Sequence, residues 1–167
     1  TGATLAKLAS DVGLDFTGLP AAPSGEAFRL KPIRIGVVDV YGGSMPSGWV
    51  QWLFTQFGFS FEVVYPPALD AGNLAATFDV LVFEDGIVPE PGRGEGAASR
   101  LNSATVPEPY RGRLGSITEK QTVPQLRQFL TDGGSIVAVG TSSWSLASML
   151  GVPVRNALVE DGTSRRL

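Results

Sequence analysis

The sequence predicts an α/β protein: a mostly parallel sheet in a three-layer αβα arrangement, with helices on both faces. Two observations carry this. Short runs rich in β-branched and aromatic residues recur at 33–40 (IRIGVVDV), 61–65 (FEVVY), 78–83 (FDVLVF) and 135–139 (SIVAV). Stretches with helical apolar spacing or helix punctuation stand between and after them, at 47–58, 69–77, 122–132 and about 142–150.

Each element has a local rationale. At 3–14, Leu5, Leu8, Ala9 and Val12 recur at helical intervals, with Thr4 placed to cap and Gly13 to stop. Residues 17–32 hold Pro20, Pro23 and Pro32 with Gly18 and Gly25, a linker composition. The expected domains are therefore 1–31, a helix and Pro/Gly-rich linker, and 32–167, the α/β domain, truncated on its C-terminal side. After the first strand, YGGSMP makes a turn. The helix at 47–58 takes Ser47 as cap and Gly58 as stop. Trp49, Trp52, Leu53 and Gln56 share one of its faces, and Val50, Phe54 and Phe57 widen the apolar stripe. That spacing assigns the tryptophans to the core. A short helix or turn at 69–77 leads to the third strand.

The run 84–118 is dense in Gly and Pro and reads as a long irregular loop. The helix at 122–132 takes Thr122 as cap, Pro124 in its first turn and Gly133-Gly134 as stop. "GGSIVAVGTSSWSLASMLG", 133–151, then reads as a buried strand, a tight turn and a helix, and GVPV after it as a further strand or a connection. Right-handed crossovers restrict such an alternation to few topologies, and the flavodoxin-like order 2-1-3-4 is the expected one. Its switch point falls between the first and third strands.

Composition excludes several function classes. The chain has 167 residues, 43% of them hydrophobic and 17% charged, with a net charge of −3, which suits one packed domain. The basic residues are scattered, the largest groups being Arg111/Arg113 and Arg165-Arg166, so nucleic acid is not an expected partner. No apolar run reaches the roughly 20 residues of a membrane span. There is no cysteine and no histidine. Disulfides, thiolate nucleophiles and imidazole bases are thereby absent, and zinc would have only carboxylates to bind. No cofactor and no metal ligand set is expected in this chain. The start TGATLAKLAS, without Met, and the end TSRRL read as a piece of something longer.

In an open parallel sheet, ligands sit beyond the carboxyl ends of the strands. Those ends supply Asp39, Tyr41 and Ser44 after the first strand, Glu84 and Asp85 after the third, and Thr141 and Ser142 after the fourth. These are the candidate ligand-binding residues; no catalytic residue is assigned. The turn VGTSSWS has the outline of a nucleophile elbow, a strained strand-to-helix turn that presents a side chain. It lacks the G-x-S-x-G frame, since Trp144 occupies the second glycine's place, and no His or nearby Lys stands ready to activate a hydroxyl. The plainer expectation is that Thr141 or Ser142 caps the helix by accepting from its backbone N–H groups. The acids Asp39, Glu84 and Asp85 are suited to share a proton or hold a hard cation, or simply mark a solvated edge. GGSMPSGW at 42–49 has the backbone donors of an anion cradle but no cation close in sequence. GRGEG at 92–96 resembles a phosphate loop without the strand and helix that loop requires.

Residues 30–160 resemble a known family. "SMPSGWVQWLFTQFGF" after a strand, the aromatic-rich FEVVY, the "FDVLVF" strand and "TVPQLRQFLTDGGSIVAVGTSSWSLASMLGVPV" are similar to the C-terminal class I glutamine amidotransferase-like domain of bacterial zinc carboxypeptidases of the carboxypeptidase A type. The resemblance implies an amidotransferase-like fold, close to the flavodoxin-like one, attached to a secreted or periplasmic peptidase. In the active amidotransferases, a Cys stands at the elbow with His and Glu partners downstream. Here that position falls on Thr141 or Ser142, and neither Cys nor His exists, so that chemistry does not carry over. Zinc is implied only for the parent peptidase domain, outside this chain.

The expected function is thus a non-catalytic accessory or interaction domain of a larger secreted zinc carboxypeptidase-like protein. Its partner would be that peptidase domain or another subunit, a homo-oligomer included, and its location extracellular or periplasmic. Three alternatives stand beside it: a small-molecule binding module at the carboxyl ends of the strands, a cryptic serine hydrolase using Ser142 or Ser143, and a processed fragment serving as an assembly subunit.

Overall fold

The computed structural model describes residues 2–21, 24–26, 28, 30–90 and 103–154. The chain divides into two compact units, Thr1–Lys31 and Pro32–Leu167. In the first, α1 spans Gly2–Val12 and buries none of its residues. The described residues from 14 to 31 form no helix or strand. The glycine-rich motif at 92–96 and the basic pair at 165–166 lie outside the described residues.

The second unit is built on four parallel strands, β1 (Ile35–Val38), β2 (Phe61–Val64), β3 (Val80–Phe83) and β4 (Ser135–Ala138), in the order β2-β1-β3-β4. The sheet is flanked by helices in the three-layer, flavodoxin-like manner. After β1 comes α2 (Met45–Gln56); after β2 come α3 (Pro66–Asp70) and α4 (Leu74–Thr77); after β3 comes α5 (Thr122–Thr131); after β4 comes α6 (Thr141–Leu150). Within 84–118, the described residues include two short 3-10 turns, Ser103–Thr105 and Glu108–Arg113. No described helix is long and apolar enough to cross a membrane.

Side chains alternate along each strand, so the sheet feeds two cores. The larger one joins Val38, Val64, Leu81 and Phe83 to Leu69 of α3, Leu74 of α4, Leu126 and Phe129 of α5 and Leu146 of α6. The smaller one joins Ile35, Val37 and Val82 to Phe54 of α2, with Phe61 and Val80. Gly36 lies between close-packed neighbours: a Cβ there would stand 2.8 Å from Leu81 and 2.9 Å from Val64, so the absence of a side chain lets residues from the flanking strands meet over the central one.

Several expectations are corrected. The cap of α2 is Ser44, whose Oγ accepts from Ser47 N at 3.2 Å. Pro46, which has no N–H to satisfy, fits the first turn and moves the helix start earlier. Ser47 is buried instead, accepting from Gln51 Nε2 at 3.0 Å. The tryptophans are not core: Trp49 and Trp52 are 57% and 51% exposed and meet edge to face. The face turned inward carries Ser47, Gln51 and Phe54, because Gln51 reaches Asp39 and Phe54 packs on Phe59 and Phe61. Thr122 does not cap α5. It is buried, donating to Asp70 Oδ1 at 2.7 Å and accepting from Thr118 N at 3.0 Å, which ties α5 to α3. Nor is β4 buried on both faces. Ile136 and Ala138 join the larger core, whereas Val137 is 48% exposed on the side where α2 lies over the other end of the sheet.

Candidate functional site at the carboxyl edge of the sheet

The turn from β4 into α6 is the feature most like an enzyme. Its strained residue is Gly140, at φ 58° and ψ −135°, a region that side chains avoid. This is one residue before the positions where the sequence places an elbow side chain. A Cβ on Gly140 would stand 2.5 Å from both Cγ and Oδ1 of Asp85. The space a nucleophile's side chain would use is therefore taken by a carboxylate from the neighbouring strand's end. Asp85 Oδ1 accepts from Thr141 N at 2.7 Å and from Thr141 Oγ1 at 2.6 Å. A carboxylate at the first N–H groups of α6 also faces the positive end of the helix dipole.

The hydroxyls at this turn are all engaged, those of Ser142 and Ser143 with backbone alone. Thr141 Oγ1 accepts from Gly86 N at 3.1 Å. Ser142 is fully buried; its Oγ accepts from Ile87 N and Val88 N, each at 3.1 Å, and donates to the Glu84 carbonyl. That fills the one donor and two acceptor positions of a hydroxyl. Ser143 Oγ donates to Gly140 O at 2.6 Å. The expected cap is corrected accordingly: Thr141 and Ser142 accept from the turn after β3, not from their own helix, and the helix is capped by Asp85 from across the sheet. One turn further, Ser145 Oγ is buried without a hydrogen-bond partner.

The acids at the strand ends differ in their partners. Asp39 is buried, its Oδ1 accepting from Val40 N at 2.8 Å and its Oδ2 from Gln51 Nε2 at 3.4 Å. Glu84 follows Phe83, which pairs with Val38, so Asp39 and Glu84 end adjacent strands. Glu84 is 3% exposed, and its carboxyl makes no hydrogen bond to a described residue. Burial raises its pKa above the ordinary carboxylate value, and the charge of Asp85 raises it further. Among the described residues, no group of three or more acids is placed to hold a metal ion.

Tyr41 belongs to a different grouping. Its ring centroid lies 6.1 Å from that of Tyr110. The guanidinium of Arg113 lies 5.0 Å from the Tyr110 ring and 5.1 Å from the Tyr65 ring. Ser44 is spent as the α2 cap. The seven candidates thus separate into a joint between β3 and α6 (Asp85, Thr141, Ser142, with Glu84 beside it), a polar support under α2 (Asp39, Ser44), and an aromatic cluster that includes Tyr41. Sequence reasoning missed Tyr65, Tyr110 and Arg113. The available signal was count: the chain has three tyrosines, and the fold sets two of them, Tyr65 and Tyr110, against Arg113 and the third, Tyr41, against Tyr110.

Comparison with known protein families, with curated proteins and with solved structures gives no match.

Two predictions follow from these contacts. Ser142→Ala strands the buried Val88 N–H, while the Ile87 N–H and the Glu84 carbonyl keep their 3.3 Å bond to each other, and is expected to cost about 2 kcal/mol in denaturant unfolding. Ser145→Ala, which removes an unpartnered hydroxyl, is expected to stay within about 1 kcal/mol of the parent, so equal losses at the two sites would contradict the assignment. Glu84→Gln tests the raised pKa. Below the ordinary carboxyl value of about 4.3, both folded and unfolded chains hold the Glu84 proton. As pH rises, the unfolded chain releases it first, and the wild type loses stability that the glutamine variant keeps. The variant's Tm advantage is therefore expected to grow from acid to neutral pH, and a difference independent of pH would refute it.

Proposed function

We propose that this chain is a non-catalytic accessory or interaction domain with the outline of an amidotransferase. The observation that carries the reading is Gly140: the strained position of the elbow holds no side chain, and Asp85 occupies the space in front of it. The bonds of Ser142 and Ser143 to backbone groups support it from a second direction, because a nucleophile needs a free hydroxyl beside a base. The same bonds weigh against a cryptic serine hydrolase.

An interaction role draws support from the surface. Met45, Trp49, Trp52, Leu53 and Phe57 are exposed on or just after α2, and Val137 and Val139 are exposed at β4. Large exposed apolar side chains of this kind are common where one protein surface meets another. The partner in this reading is a zinc peptidase domain of the same parent chain or another subunit, and the setting is secreted. That part of the proposal rests on the resemblance of the residues at 30–160.

The test is turnover by the purified chain. It is expected to release no ammonia from glutamine and no amino acid from peptides, with or without added zinc, and to leave a fluorophosphonate probe unreacted. Turnover that survives repurification, or labelling of Ser142 or Ser143, would contradict the proposal.

A further inference from the structure

We propose that Arg113, held between Tyr65 and Tyr110, is a binding site for a small organic oxyanion, a carboxylate or a phosphate ester carrying an apolar body. This goes beyond the accessory role, which requires no ligand.

The site is assembled from three parts of the chain. Tyr41 follows β1, Tyr65 follows β2, and Tyr110 and Arg113 belong to the 3-10 turn Glu108–Arg113. The Arg113 guanidinium carbon lies 5.1 Å and 5.0 Å from the two ring centroids. The guanidinium carbon thus lies over both rings, while the N–H donors lie on the guanidinium's edge. That edge is little used: its one hydrogen bond is a long one, 3.4 Å, from Nη1 to the Tyr65 hydroxyl. Arg113 forms no ion pair with a described acid, although the chain is net acidic. By contrast, Arg34 is fully engaged, bonded to both oxygens of Asp79 and to backbone carbonyls. Arg111 is also committed, donating from Nε to Val106 O at 3.0 Å.

A fixed guanidinium with a free edge matches the planar, two-oxygen face of a carboxylate or phosphate. Fixing it between rings also removes part of the entropy cost of binding. The apolar half of the ligand has a place next to it. A cleft of about 270 Å³ runs along the β2 edge, lined in part by Tyr65, Ala68, Leu74, Phe78 and Gly112. Tyr65 is thus shared between cleft and arginine, and Gly112 precedes Arg113 in the chain. The cleft extends back along β2 to Glu62 and Thr77, its wall is apolar at Ala68, Leu74 and Phe78, and its Tyr65 and Gly112 end, beyond the carboxyl end of β2, is where the arginine supplies charge.

The experiment is calorimetric titration of the whole chain with hexanoate, phenyl phosphate, inorganic phosphate and the neutral analogue hexanamide, repeated on Arg113→Gln and Arg113→Lys. Hexanoate or phenyl phosphate is expected to bind saturably, and to bind more tightly than hexanamide or inorganic phosphate. Whichever of the two binds better names the head group. Arg113→Gln is expected to weaken that ligand at least about tenfold, and Arg113→Lys nearly as much, because lysine keeps the charge but loses the planar fork. Near-UV circular dichroism of both variants, reporting on the tyrosines, checks that the cluster stays folded. Wild-type protein that binds none of the probes, binds hexanamide equally well, or retains its affinity in Arg113→Gln would overturn the site. A fall in Tm of the variant without any ligand bound by the wild type would assign Arg113 to stapling the turn alone.

Discussion

The carboxyl edge of this domain is organised by one carboxylate. Asp85, at the end of one strand, accepts from the first backbone N–H of the helix that follows the next strand, and from the hydroxyl beside it. The contact is possible because residue 140 is glycine, with backbone angles that side chains avoid and no atom where the carboxylate stands. Around this bond, Thr141 and Ser142 stitch the turn at 86–88 to α6. A turn that elsewhere serves to expose a reactive group here holds two strand ends together. The unfavourable backbone at Gly140 is offset by hydrogen bonds, and the helix gains a charged cap from outside its own sequence.

Much of the architecture was legible in the sequence because it depends on strong, local signals. The four apolar runs, Pro and Gly punctuation and short connections restrict a right-handed parallel sheet to the order that is found. Helix faces were less legible. The α2 sequence spreads its apolar residues over most of its circumference and spaces Ser47, Gln51 and Thr55 as a polar stripe, so its periodicity points Trp49 and Trp52 inward rather than the Ser47 and Gln51 side that faces the sheet. The answer depends on Asp39 and Gln51, a contact across 12 positions of the chain. Caps failed in the same way. Ser47, Thr122 and Thr141 each have the right chemistry for a cap, but each hydroxyl bonds elsewhere once the fold brings other partners near.

The candidate site shows the same limit. Strand-end reasoning named Asp85, Thr141 and Ser142, and these do come together at the ends of β3 and β4. It did not separate them from Tyr41, whose partners come from the loop after β3. Nothing in the spacing of Tyr41, Tyr65, Tyr110 and Arg113 shows that they meet, since three different segments position them. What the edge offers chemically is uneven. At β3 and β4, polar groups are consumed in holding the backbone. At β1 and β2, an arginine and aromatic rings stand beside a cleft with donors to spare.

The claim on which the account rests is that Asp85 fills the space Gly140 leaves open. A double-mutant cycle in denaturant unfolding, using Gly140→Ala, Asp85→Ala and the pair, measures this directly. Gly140→Ala is expected to cost about 3 kcal/mol in the wild type, combining backbone strain with the clash against the carboxylate. With Asp85 shortened to alanine, the contacts at Cγ and Oδ1 are gone while the Cβ contact at 2.8 Å stays, and the cost is expected to fall to about 2 kcal/mol. An equal cost for Gly140→Ala in both backgrounds would show that the carboxylate does not occupy that space, and would contradict the account.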